Sequence, residues 1–242
     1  MSGETTLDRF LGGRLTIAQP RSGFRAGHDT VLLAAAVPAA PGSQVLELGA
    51  GTGVASLCLA ARVADVRVLG VEIDPELVAL ANANAARNGM GSRVRFEAGD
   101  AASASRHGAA FDHVFFNPPF HPASGQESPV AARTRAMRDS ANAMAQWTAI
   151  ALAAAKPGGT VTAILRSDRV DDMLGAAEGN GAVLFPLFPR AGEPAKRTIV
   201  QLVKGVAATA RMADGLILHV SDGGNTQSAE AVLRHGAALR LE

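Results

Sequence analysis

The residues best suited to chemistry in this chain are Asn117-Pro118-Pro119-Phe120, which close the largely apolar run Phe111–Phe116. Their types suit the capture of a flat NH2 group. The Asn117 amide oxygen can accept one amine hydrogen and the Pro118 carbonyl the other, while two consecutive prolines hold both acceptors in place. Phe120 offers a face for stacking, worth about 1–3 kcal/mol per base. An exocyclic amine is a poor nucleophile because its lone pair is delocalised into the ring. Accepting both of its hydrogens favours a pyramidal nitrogen whose lone pair can attack a methyl group. No strong general base is required, since the proton becomes acidic once the nitrogen is alkylated. As a chance occurrence the tetrapeptide would be an Asn-Pro turn, but it stands directly after a predicted strand and downstream of a glycine-rich turn.

That turn, Glu47-Leu48-Gly49-Ala50-Gly51-Thr52-Gly53, can hold the methyl donor. Glycines there permit close backbone approach to a ligand. A dinucleotide fingerprint would need a glycine or alanine at its last position, and the chain has Val54 counting from Gly49, or Ser56 counting from Gly51. Glu47 would repel a pyrophosphate, yet suits S-adenosylmethionine, which carries an ammonium and a sulfonium and no phosphate. Glu72 in Gly70-Val71-Glu72-Ile73-Asp74 can accept both ribose hydroxyls, and Asp100 in Ala98-Gly99-Asp100-Ala101 can accept from the donor's adenine amine. Singly, each carboxylate reads as a strand-end charge or turn former. Three of them at successive strand ends, after a glycine turn, favour the donor site. The residues expected to frame it are Glu47, Gly49, Ala50, Gly51, Gly53, Glu72, Ile73, Asp100 and Ala101, with Asn117 facing the sulfonium.

These residues need a scaffold that delivers strand ends to one crevice. Predicted strands at 44–48, 66–73, 93–97, 111–116 and 160–165 alternate with helices at 54–63, 75–88 and 141–155, which implies a doubly wound, mostly parallel sheet. Runs at 183–188 and 198–203, joined through Pro189, Gly192 and Pro194, read as an antiparallel hairpin. An α/β, mostly parallel series that ends in such a hairpin resembles the Rossmann-like, seven-stranded class I methyltransferase fold more than a six-stranded dinucleotide fold. Asp74-Pro75 predicts a capped helix start. Asp29 reads as the N-cap of a helix ending at Pro38, and Ser167 or Asp168 as the cap of another reaching Glu178. Residues 1–40 read as an N-terminal cap segment, 41–205 as the methyltransferase domain and 206–242 as its C-terminal extension.

Composition narrows the class. Of 242 residues, 48% are apolar, enough for a substantial core, and the formal net charge of +1 gives no global field for nucleic acid. Any RNA site must come from local patches. The single cysteine, Cys58, excludes an intramolecular disulfide and a cysteine-rich zinc site, and reads as a small buried hydrophobe. The histidines have no metal-ligand spacing, so no metal is expected. No apolar run is long enough to span a bilayer and the start carries no apolar signal core, so a cytoplasmic protein is expected, with no membrane partner. Both a monomer and a homodimer are compatible with the sequence.

Taken together, Gly23-Phe24-Arg25-Ala26-Gly27-His28-Asp29-Thr30-Val31-Leu32-Leu33, the turn Glu47–Gly53, Asn117–Phe120 and Pro194–Gln201 resemble the bacterial tRNA (adenine-N6)-methyltransferase family over residues 8–205. That family modifies an adenosine beside the anticodon of a valine tRNA. The resemblance implies an RNA substrate, S-adenosylmethionine as cofactor, Glu47, Gly49, Glu72 and Asp100 holding that cofactor, and Asn117 to Phe120 holding the base. It also implies that Asp29 approaches the cofactor. The chain departs from adenine-modifying relatives in having Phe120 followed by His121, where tyrosine is frequent. That version also resembles ribosomal-RNA guanine-N2 methyltransferases, and protein-glutamine N5 methylation is a further use of the tetrapeptide. For RNA contact, the long connection after Phe120 offers His121, Arg133, Arg135 and Arg138. Arg190, Lys196 and Arg197 make a second candidate patch, and Arg14, Arg21 and Arg25 a third.

Overall fold

Alternating polar and apolar residues open the chain as a hairpin, β1 (Thr5–Phe10) and β2 (Leu15–Pro20), paired antiparallel from Thr5↔Pro20 to Phe10↔Leu15. The computed structural model of the chain describes residues 4–23, 25–118 and 141–241. Helix α1 (His28–Ala36) follows. Three βα steps come next: β3 (Gln44–Leu48) with α2 (Val54–Arg62), β4 (Arg67–Glu72) with α3 (Pro75–Arg87), and β5 (Val94–Ala98) with a short 3-10 turn at Ala101–His107. Beyond them lie β6 (Phe111–Phe116), α4 (Ala141–Ala154), β7 (Ala155–Arg166), α5 (Val170–Gly175), β8 (Gly181–Phe188) and β9 (Arg197–Val203). Two short strands, β10 (Arg211–Met212) and β11 (Leu216–Ile217), and helix α6 (Gln227–Leu233) complete the elements.

The sheet runs β5-β4-β3-β6-β7-β9-β8, parallel through β7 and antiparallel at β9. The seven expected strands and the closing hairpin are present. The sheet has nine strands, because β10 and β11 both pair parallel with the outer edge of β8. The sequence suggests a short strand near residues 216–220, where β11 lies, whereas two-residue β10 leaves no periodic trace. Both strands cover an edge whose free backbone groups would otherwise invite pairing with another chain. Gly215 lets this segment lie close: a Cβ there would stand 2.3 Å from the Pro186 carbonyl oxygen, and its φ is +84°.

Core residues fall on the two faces of the sheet. Successive strand residues point to opposite sides, so on β6 Phe115 joins the layer with α1 and α2, while Val114 and Phe116 join the layer with α4. Helix α3 starts as its sequence requires, with Asp74 accepting from the Glu76 amide at 2.9 Å and Pro75 in the first turn. Two cap assignments are corrected. Gly27 occupies the N-cap of α1 with no side-chain cap, and Asp29 lies one position inside the helix. Asp168 is held by Arg166 at 2.6 and 3.0 Å and does not cap, so a 3-10 turn at Ser167–Arg169 precedes a short α5 that stops at Gly175.

The hairpin is anchored by an unusual partner. The free edge of β2 faces α3, and two asparagines one turn apart supply the missing backbone partners. Asn84 accepts from the Ala18 amide at 2.8 Å and donates to its carbonyl at 3.0 Å. Asn88 does the same with Thr16, both at 3.0 Å. Asn84, fully buried, also donates to the Thr52 carbonyl at 3.0 Å, which joins the hairpin to the glycine turn. Leaving a buried backbone group unmatched costs about 1–3 kcal/mol. Asn84→Leu is therefore expected to lower unfolding free energy in urea by at least that amount, whereas Asn82→Ala, nearer the surface, is expected to cost less. Equal loss in the two variants would refute the special role of Asn84.

Candidate active site

Strand order reverses at β3, which lies between β4 and β6, so ligands are expected at the carboxyl ends of these strands. Leu48 and Phe116 are register partners on β3 and β6. Gly49 and Asn117, the next residues along each strand, therefore leave the sheet side by side.

The turn after β3 takes its shape from three glycines with φ of +67°, +54° and +82° at Gly49, Gly51 and Gly53, the region where side chains are costly. The Gly49 and Ala50 amides both donate to the Val71 carbonyl, at 2.8 and 3.1 Å, pinning the turn to the end of β4. The glycines serve different ends. A Cβ at Gly51 would meet nothing within 4 Å, so this position is open to an approaching ligand. A Cβ at Gly53 would stand 2.5 Å from the Phe96 ring, and one at Gly49 2.9 Å from Trp147. Those two glycines answer to packing as well as to conformation.

Glu72 braces the crevice. Its Oε2 accepts from the Gly51 amide at 2.8 Å and its Oε1 from the Asp74 amide at 3.0 Å, so one buried carboxylate fixes the turns after β3 and β4. Each oxygen retains capacity for a further hydrogen. Ile73, in the turn after β4, is half-buried. The Gly99 amide donates to the Glu72 carbonyl at 2.8 Å, bringing the end of β5 alongside. Asp100 is exposed there and accepts from the Ser103 amide at 2.9 Å, and Ala101 beneath it is buried.

Glu47 points elsewhere. Its buried Oε2 accepts from both the Ser56 amide, at 3.1 Å, and the Ser56 hydroxyl, in the first turn of α2. Burial pushes its carboxyl up to about 8 against these two bonds. Glu47 thus braces the helix that follows the turn. Asp29 pairs with Arg197 at 2.9 Å, tying the first turn of α1 to the start of β9.

Asn117 carries the feature that singles out this crevice. Its Oδ1 is shielded from solvent and has no hydrogen-bond partner among the described residues. Pro118 beside it is buried. A buried acceptor without a donor is uncommon in folded proteins, and here it sits at the strand end that adjoins the glycine turn. Glycine turn, Glu72, Asp100 and Asn117 are thus gathered at adjacent strand ends. Pro119, Phe120, His121, Arg133, Arg135 and Arg138 lie outside the described residues.

Two expected RNA patches are already engaged within the chain. Arg14 donates to the His235 and Ala61 carbonyls, Arg21 pairs with Glu4, and Arg25 with Asp8. Arg190 pairs with Glu193 and Arg197 with Asp29. Within the chain, nearby acids pair with four of these guanidinium groups, and Arg21 and Arg190 remain largely exposed. Sequence reasoning missed Ser56, Ser103 and the contact of Trp147 with Gly49. Ser56 follows the last glycine by three residues, but no spacing ties a tryptophan nearly one hundred positions away to the turn. Among the described residues no group of three or more ligating side chains could hold a metal ion, and no helix is long and apolar enough to cross a membrane.

The donor set fits S-adenosylmethionine: an open glycine, a ribose-ready carboxylate on the second strand of the series and an unmatched acceptor on the fourth. Fold and crevice define a Rossmann-like class I methyltransferase. The chain belongs to the methyltransferase small domain family, whose model matches residues 24–166. It is 32% identical over 174 residues to a tRNA1(Val) (adenine(37)-N6)-methyltransferase of Porphyromonas gingivalis, covering 69% of this chain and 68% of that one. It is 29% identical over 203 residues to the protein of the same name from Actinobacillus succinogenes, covering 83% and 86%. A crystal structure of a predicted O-methyltransferase from Agrobacterium tumefaciens superposes with a TM-score of 0.71 at 24% identity, over 88% of this chain and 98% of that one. S-adenosylmethionine is the cofactor of this class, as in a geranyl diphosphate methyltransferase solved with SAM, which matches with a TM-score of 0.52 at 12% identity over 72% of this chain and 82% of that one.

Glu47 gives a pH signature. Its carboxyl is raised from 4.5 to about 8, so between these values the folded chain binds a proton that the unfolded chain has released. Stability from this group is therefore complete below 4.5 and falls as pH rises to about 8. Glu47→Gln, which keeps an acceptor for Ser56, is expected to flatten that part of the stability profile in urea titrations at stepped pH. An unchanged slope would contradict the assignment. Cys58, buried and with its thiol pushed up to about 12, is expected to ignore Ellman's reagent until the chain unfolds.

Proposed function

We propose that this chain transfers the methyl group of S-adenosylmethionine to an exocyclic amine of a nucleobase in RNA, N6 of an adenine in tRNA. The observation that carries the reading is the buried, unmatched Oδ1 of Asn117 beside the glycine turn. A planar NH2 group entering the crevice would supply the missing donor. The relatives named as tRNA adenine-N6 methyltransferases support the choice of acceptor.

The bound cofactor supplies an electrophilic methyl group on a sulfonium. The protein's own residues do the rest. Gly49, Ala50, Gly51 and Gly53 form a surface that admits the donor closely, with Gly51 the open point of approach. Glu72 turns its remaining lone pairs to the ribose, and Ile73, Asp100 and Ala101 receive the donor's adenine. Glu47 holds the helix that frames the turn, and Asp29 borders the donor from α1. Asn117 accepts one amine hydrogen and the Pro118 carbonyl the second, so the nitrogen lone pair is aimed by position. Pro119 stiffens this arrangement and Phe120 stacks on the base. His121, Arg133 and Arg135 contact the RNA around it. Residues 41–205 carry the reaction, with the segments 1–40 and 206–242 bracing it. The target base must leave its stack, which favours an unpaired loop.

Labelled methyl transfer to tRNA, followed by nucleoside mass spectrometry, tests the proposal. N6-methyladenosine is the expected product, and tRNA from cells lacking the protein should lose it at one position. Label in guanosine of ribosomal RNA, or in a glutamine of a release factor, would replace the acceptor assigned here. Asn117→Ala is expected to reduce kcat by roughly 10²–10³, the scale of losing one preorganised hydrogen-bonding group. Its affinity for S-adenosylmethionine should stay close to that of the parent. Near-parental turnover in Asn117→Ala would defeat the mechanism.

A further inference from the structure

We infer that Trp147, the single tryptophan of the chain, is a positioning residue that locks the donor turn and the amine cradle into one unit. The inference rests on the methyltransferase reading of Asn117 and names a residue in neither group of reacting contacts.

Three observations meet at this side chain. First, the Trp147 ring lies against Gly49. A Cβ there would stand 2.9 Å from Cη2 and 3.4 Å from Cζ3, so the indole occupies the volume that any other residue would fill. Second, the same ring packs on Phe116, with centroids 5.6 Å apart and planes tilted by 52°. Phe116 is fully buried and directly precedes Asn117. Third, Gly49 and Asn117 each stand one residue beyond the paired positions Leu48 and Phe116. One rigid aromatic body thus spans the two strand ends, touching the donor side at Gly49 and the acceptor side through Phe116.

The physical consequence concerns distance. Methyl transfer by in-line attack tolerates little misplacement, and an error of about 1 Å can cost on the order of 100-fold in rate. The main chain between Gly49 and Val71 fixes the turn relative to β4. The ladder between β3 and β6 ends at Leu48↔Phe116, so no backbone pairing holds Gly49 and Asn117 in mutual register beyond it. Trp147 fills that gap from α4. The residue is 9% exposed, and it belongs to the core layer containing Leu48, Val71, Ala101 and Phe116. The layer therefore transmits its packing to both sides of the crevice. An ordinary core residue would stabilise the fold and leave each step of the reaction alone. A positioning residue should alter donor affinity and turnover in molecules that remain folded.

Calorimetric titration of S-adenosylmethionine into Trp147→Ala and Trp147→Phe, with steady-state methyl transfer to tRNA, separates the two roles. In Trp147→Ala donor binding should weaken about tenfold or more, a change of about 1.4 kcal/mol. Its kcat should fall roughly 100-fold. KM for tRNA should stay within about threefold, the split expected when alignment rather than RNA contact is lost. Trp147→Phe should restore most of both. Parental donor affinity and kcat in folded Trp147→Ala, or equal impairment in Trp147→Phe, would overturn the inference. Should Trp147→Ala not fold, the parent still decides: its emission comes from this one indole, and saturation with S-adenosylmethionine should shift it, whereas unchanged emission would refute contact with the donor turn. The binding and emission measurements need no RNA. If tRNA is not the acceptor they remain valid, and only the acceptor assignment falls.

Discussion

The crevice depends on one carboxylate shared between two turns. Glu72 accepts a backbone amide on each oxygen, from Gly51 and from Asp74, and its own carbonyl receives the Gly99 amide. Three consecutive strand ends are thereby fixed by a single residue at the close of β4. The two carboxylate bonds, at 2.8 and 3.0 Å, are partly buried, where such contacts are stronger than in water. Because the glycine turn is shaped by bonds within the protein, its form is set before any ligand arrives. In the proposed reading, the same carboxylate meets the donor's ribose without rebuilding its surroundings.

Around this centre the fold works by substitution of partners. Side chains stand in for backbone at several points: Asn84 and Asn88 complete the edge of β2, Glu47 holds the start of α2 through Ser56, and Asp100 holds the turn at Ser103. Two of these devices reach the glycine turn or its flanks, Asn84 through the Thr52 carbonyl and Glu47 through Ser56. The hairpin formed by β1 and β2 is therefore coupled through Asn84 to Thr52, although it lies in a separate sheet.

Much of this was legible in the sequence. The βα alternation, the Asp74-Pro75 start and the closing hairpin each follow from local patterns strong enough to survive tertiary context. The neighbourhood of Gly49 and Asn117 follows once strand order is assumed. What escaped reading is the choice of partner, both between distant residues such as Trp147 and Gly49 and between near ones such as Arg190 and Glu193. The sequence places a carboxylate at Glu47 but cannot say that Ser56 will take it. It shows arginines at positions 14, 190 and 197 but not that carbonyls and acids already occupy them. Short strands such as β10 form only because β8 presents an edge.

The meeting of early and late segments has a consequence for biosynthesis. Arg14 donates to the His235 carbonyl, 221 positions away, and a Cβ at Gly12 would stand 2.9 Å from the Arg234 carbonyl oxygen. The Leu239 amide likewise donates to Ala35 in α1. During translation the amino-terminal hairpin and α1 must therefore wait, with apolar faces incompletely covered, until the ribosome has extruded the segment carrying α6. Vectorial synthesis and final closure of the core are set at opposite times, and apolar faces left open in that interval are prone to aggregate.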